Sequence, residues 1–95
     1  MSAIMMSQIA GKDPVKFQDY LTKSKAVAGR YGAELMFAGQ RKDALDDAPP
    51  DHQMVVIARF PDEDALKDWY EDTEYTALIP LREEASDQII TVYAD

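Results

Sequence analysis

The chain has 95 residues, 18 acidic against 10 basic side chains, a net charge of −8 and no cysteine. One domain accounts for this length, and a core this small is marginal by itself, with only about 60–65% of the unfolded surface buried. Disulfides and thiolate zinc sites are excluded, a single His makes an imidazole metal site improbable, and association with a second subunit is the remedy left.

The acidic balance opposes a nucleic-acid partner, because a phosphate backbone is gripped by clustered Lys and Arg. It equally disfavours anionic membrane surfaces. No apolar run approaches the roughly 20 residues that span a bilayer. Met1–Gln8 has neither a basic stretch nor a long apolar one, so no signal peptide is expected, and a cytoplasmic location follows as the expectation. A hydrophobic content of 46% excludes disorder.

Residues 2–9 are a short apolar segment before the turn signal Gly11-Lys12-Asp13-Pro14 and read as a strand. Asp13-Pro14 opens a helix: a carboxylate caps free N–H groups and proline takes the first turn. Phe17, Tyr20, Leu21, Ser24, Val27, Ala28 and Tyr31 share one face of that helix, and Gly32 supplies the left-handed residue that stops it. Residues 33–39 read as a second strand, on which Leu35 and Phe37 alternate with Met36 and Ala38. Residues 40–52 are polar, and Pro49-Pro50 excludes regular structure, which leaves a long exposed loop. Its aspartates, Asp43, Asp46, Asp47 and Asp51, lack the glycine and terminal Glu of a calcium loop and read as solvated.

The β-branched run 53–60 is the clearest strand. Pro61-Asp62 ends it and caps a second helix over 62–72, with Ala65, Leu66, Trp69 and Tyr70 on its buried face. Thr73 is expected to cap a further turn through Tyr75 and Leu78, and Pro80 to open another through Ala85. Residues 87–94 close the chain as a strand. The order β-α-β-β-α-β predicts a ferredoxin-like α+β sandwich spanning 1–95, with both helices on one face of an antiparallel sheet.

Such a sheet is ordinarily apolar on one side only. Here Met54, Val56, Ala58 and Phe60 oppose Val55 and Ile57. Ile90 and Val92 oppose Ile89, Thr91 and Tyr93, and Ile4 and Met6 oppose Ala3, Met5 and Ile9. Two apolar faces with helices for one predict a homodimer, sheet against sheet about a two-fold axis.

Phe60-Pro61-Asp62, Ala65, Trp69-Tyr70, Thr73-Glu74-Tyr75 and Pro80-Leu81-Arg82 resemble the DUF1330 family, and Tyr31-Gly32 and Gly39 agree with it. The resemblance runs from the first strand to the last and implies the dimeric α+β barrel superfamily. That superfamily includes cofactor-free monooxygenases, isomerases and structural proteins, so the fold does not decide the function. The chain departs from the family around Gly39, carrying Ala38 and Gln40 where many members have Arg and a further Gly. An anion site built on such an Arg is not expected here.

Several side chains have chemical potential. His52 is a proton-transfer candidate, but Asp51 is a poor partner because adjacent side chains on extended backbone diverge; a solvated loop histidine is the plainer reading. Arg59 is placed at the dimer rim, where it would either pair with a carboxylate, such as one from the acid-rich helix start, or bind an anion at the barrel mouth. Arg82 would tie down carbonyls, pair with Glu74, or hold a ligand carboxylate through its planar fork. Trp69 reads as core, whereas the hydroxyls of Tyr20 and Tyr75 are expected to emerge in a pocket between helices and sheet.

The leading functional expectation is a small, mostly apolar ligand in that pocket, with Tyr20, Tyr75 and Arg82 as polar contacts. The alternatives are a cofactor-free oxygenase or isomerase using the same pocket, with His52 or Tyr75 moving a proton, and a structural dimer without ligand. No metal and no cofactor are expected.

Overall fold

A computed structural model describes residues 2–95. The chain runs β1 (Ala3–Gly11), α1 (Pro14–Gly29), β2 (Glu34–Gln40), β3 (Met54–Phe60), α2 (Glu63–Glu71), α3 (Thr73–Thr76), α4 (Ile79–Ala85) and β4 (Ser86–Ala94). Each helix start has a local cause. Asp13 accepts from the N–H groups of Val15 and Lys16 at 3.1 Å, and Asp62 accepts from Ala65 N–H at 2.8 Å. Asp72, not the expected Thr73, caps α3 by accepting from Glu74 N–H at 2.7 Å. Pro80 occupies the first turn of α4, where a missing N–H costs nothing. Gly32 has φ 79°, and a Cβ there would lie 2.9 Å from Pro61 Cγ, so the turn into β2 requires glycine.

The strands form one antiparallel sheet in the order β2-β3-β1-β4. With helices on one side this is the ferredoxin-like α+β fold. β1 runs two residues beyond the predicted segment because Ala10 and Gly11 find partners in Asp87 and Ser86. Its alternate residues Ala3, Met5, Ser7 and Ile9 are buried under the helices. They meet Ala58 and Phe60 of β3, Phe17, Tyr20 and Val27 of α1, and Leu66, Trp69, Tyr75 and Ala85 of the later helices.

Register places Ile4, Met6, Val55, Ile57, Arg59, Ile89, Thr91 and Tyr93 on the opposite face. Strict period-2 alternation holds in β1, β3 and β4 and fails in β2. An irregularity between Leu35 and Phe37 pairs Leu35 with Ala58 and Phe37 with Ile57, so these residues fall on different faces. An extra residue in an edge strand shifts every later side chain to the other side.

The molecule is a slab of 32 × 31 × 16 Å, and among the described residues no third layer lies over the uncovered face. The 41–53 connection does not supply one: Leu45, its one large aliphatic side chain, is 94% exposed. Arg41 instead folds that loop on itself, donating from Nη2 to the carbonyls of Pro49 at 2.7 Å and His52 at 2.8 Å. Among the described residues no helix is long and apolar enough to cross a membrane.

Candidate functional site

Three of the predicted site residues converge. Tyr20 points inward from α1 because positions 17, 20, 24 and 27 form its buried stripe. Tyr75 is carried inward by the single turn of α3, held between the Asp72 cap and Pro80. The two hydroxyls lie 2.8 Å apart. Arg82, on the first turns of α4, donates from Nη1 to Tyr75 Oη at 3.0 Å and makes a longer contact of 3.4 Å with Tyr70 Oη. Its Nε and Nη2 both donate to Glu83 Oε1, at 3.3 and 3.0 Å.

Aromatic rings surround this polar chain. Trp69 and Tyr75 have centroids 4.4 Å apart, Tyr70 and Tyr75 5.4 Å, and Phe60 and Trp69 5.4 Å. The tilted and edge-on geometries suit the ring quadrupoles. Trp69 is 2% exposed, and its indole N–H has no acceptor among the described residues. A buried donor without a partner is uncommon and costly.

The electrostatics follow from burial. Desolvation first, then the Tyr75 hydroxyl, pushes Tyr20 well above the ordinary tyrosine range, with the Arg82 charge pulling the other way. Tyr20 is therefore a neutral hydrogen-bonding group and not a base. Burial works against the charge on Arg82, but its bonds to Tyr70, Tyr75 and Glu83 outweigh that and hold the guanidinium firmly protonated.

The expected emergence of the tyrosine hydroxyls into a pocket is not what the structure has. They are directed at each other and at Arg82, and neither they nor Arg82 line either of two surface grooves. One groove, about 500 Å³, lies at the sheet end beside Arg59, Glu34 and Gly32; the other, about 460 Å³, runs between α1 and α3 past Arg30 and Glu74.

Arg59 stands apart from the cluster, on the uncovered face. Its carboxylate partner is Glu34 of the adjacent strand at 2.7 Å, not an acid of the α2 start. His52 is also separate. Its Nε2 lies 2.9 Å from Asp87 Oδ2 of β4, and its side chain is only 14% exposed, so the solvated-loop reading is corrected. Glu74 pairs with Arg30 at 3.0 Å, leaving Arg82 to Glu83. Asp72, besides capping α3, accepts from Tyr31 Oη; that bond and the Glu74 N–H lower its pKa.

Tyr70, Glu83 and the unpartnered Trp69 nitrogen were not singled out from the sequence as site groups. Helical spacing puts Tyr70 on the buried face of its helix, yet it is 38% exposed with its hydroxyl at Arg82. The spacing Tyr70, Tyr75, Arg82 carries no periodic signal, because a break at Asp72 and another at Leu78 separate three short helices.

The element order and a four-stranded antiparallel sheet with helices on one face define a ferredoxin-like α+β protein. The chain belongs to the DUF1330 family, a domain of unknown function, whose model matches residues 2–94. No curated protein matches it by sequence. Among solved structures it is similar to a protein of unknown function from Rhodopseudomonas palustris, at 20% identity and TM-score 0.79, covering 99% of this chain and 82% of that one. A dimeric ferredoxin-like protein of unknown function from Thermobifida fusca aligns at 16% identity and TM-score 0.63, over 100% and 92% of the two chains. SnoaB, a cofactor-independent oxygenase from Streptomyces nogalater, aligns at 14% identity and TM-score 0.71, over 99% and 92%.

Proposed function

We propose that the protein is a homodimer, closed through the uncovered sheet face, that binds a small, mostly apolar molecule at the Tyr20–Tyr75–Arg82 cluster of each protomer. The binding reading is carried by one observation: the N–H groups of the cluster outnumber the oxygens that accept from them. Arg82 brings five N–H groups and Trp69 an unanswered one, against one oxygen of the largely exposed Glu83 and the hydroxyls of Tyr70 and Tyr75, which accept as well as donate. A ligand acceptor set among aromatic walls would answer that surplus. The description of the Thermobifida fusca neighbour as dimeric supports the assembly.

The rival without ligand draws support from the packing, since Tyr75 is fully buried. The oxygenase alternative draws on the likeness to SnoaB, which reaches the fold alone. The neutral state of Tyr20 disfavours it as the base such chemistry needs.

Native mass spectrometry of protein purified gently from its own host tests the reading. A retained small molecule, released on unfolding and lost in Arg82→Ala, is the expected result. A bare dimer mass, together with no ligand-induced change in Trp69 fluorescence across a small-molecule panel, would favour the structural dimer instead.

A further inference from the structure

The fork of Arg82 is filled from its own helix, and filled poorly. Two of its nitrogens share one oxygen of Glu83, at 3.3 and 3.0 Å. A planar guanidinium meets a carboxylate best through two parallel bonds to two separate oxygens, and Glu83, adjacent in sequence, uses only one. The two partners also differ in setting. The Arg82 side chain is 12% exposed and that of Glu83 is 55% exposed. An exposed carboxylate leaves such a contact at little cost, because water takes over its bonds. A nearly buried guanidinium left without an acceptor loses far more.

The rest of the fork does not depend on Glu83. Nη1 is tied to Tyr75 and reaches Tyr70, so the nitrogens hold their place when the glutamate swings out. Tyr70, whose hydroxyl lies 3.4 Å from Nη1 of the same guanidinium, is 38% exposed and offers an aromatic surface next to it. The chain's net charge of −8 gives anions little reason to bind elsewhere.

Building on the binding reading above, we infer that Glu83 stands in for a ligand carboxylate, and that the natural ligand class is a small monocarboxylate whose apolar body rests against Tyr70. Binding exchanges the one-oxygen internal contact for a two-oxygen external one.

The test uses benzoate and its neutral isostere benzamide as probes, on the wild-type protein and on Glu83→Ala, Glu83→Gln and Arg82→Lys. Trp69 is the single tryptophan, so its indole N–H gives one NMR resonance inside the cluster. Benzoate is expected to shift that resonance saturably and benzamide to leave it in place. Both Glu83 variants should bind benzoate about two- to fivefold more tightly, the worth of an exposed ion pair. Arg82→Lys should weaken benzoate at least about tenfold while the spectrum stays folded, because a point charge cannot reproduce the fork. Benzamide binding as tightly as benzoate would overturn the carboxylate assignment and leave the binding reading standing. Benzoate affinity unchanged in both Glu83 variants would overturn the stand-in role. Absence of binding by both probes would overturn the inference, and the binding reading falls with it only if native mass spectrometry also finds nothing retained.

Discussion

Ala58 and Ile57 are neighbours on β3 with opposite surroundings. Ala58 lies against Met5 of β1 beneath the helices and is 9% exposed; Ile57 pairs with Met6 on the side where nothing packs. The same contrast runs along β1, where Met5 and Ile9 are buried and Ile4 and Met6 are half-covered only by their sheet neighbours. Both faces are about equally greasy, so composition does not distinguish them. What distinguishes them is that 16-residue α1 and the three short later helices reach one side only. A face that is as apolar as a core and lacks a cover is the surface that the proposed homodimer buries.

Substitution at these neighbouring positions separates the faces most sharply. Ala58→Asp buries an unpaired charge and should abolish folding, whereas Ile57→Asp should leave a folded chain that no longer self-associates. Circular dichroism with size-exclusion chromatography reads both, and a folded, unchanged dimer in either variant contradicts the assignment of faces. Within the covered side, Tyr75→Phe removes a hydroxyl that serves both Tyr20 and Arg82 and should cost about 1–3 kcal/mol in urea unfolding.

Tyr20 adds a pH dependence. Its folded pKa is raised by burial, so its contribution is complete below the unfolded value near 10 and is lost as pH climbs beyond it, where the unfolded chain releases the proton first. Stability should therefore fall from pH 9 to 11, and fall less steeply in Tyr20→Phe; identical slopes would remove Tyr20 from this role. The smallest effect belongs to the uncovered side. Arg59 is half-exposed beside Glu34, and a double-mutant cycle should give the pair about 0.2–1 kcal/mol.

The layout of the fold was open to sequence reasoning because its signals are local. Asp13-Pro14, Gly32 and Pro61-Asp62 mark element boundaries through caps and turns, and β-branched alternation marks β3 and β4. The irregularity at Met36 was not legible, since one extra residue in an edge strand leaves the composition unchanged. The site was legible in part. Tyr20, Tyr75 and Arg82 are recognisable in the sequence as candidates and do meet, but their order of contact is not. Arg82 chose Glu83, one residue away, over Glu74, which Arg30 drew off from the end of α1. His52 found Asp87 at a separation of 35 residues, a pairing that only the β3-β1-β4 order creates.

The central claim is that a second copy covers the open sheet. Sedimentation equilibrium over a wide concentration range tests it most directly, with wild type and Ile57→Asp side by side. The account predicts twice the chain mass for wild type and the single-chain mass for the folded variant. A wild-type protein that stays a folded single chain at the highest concentration would contradict it.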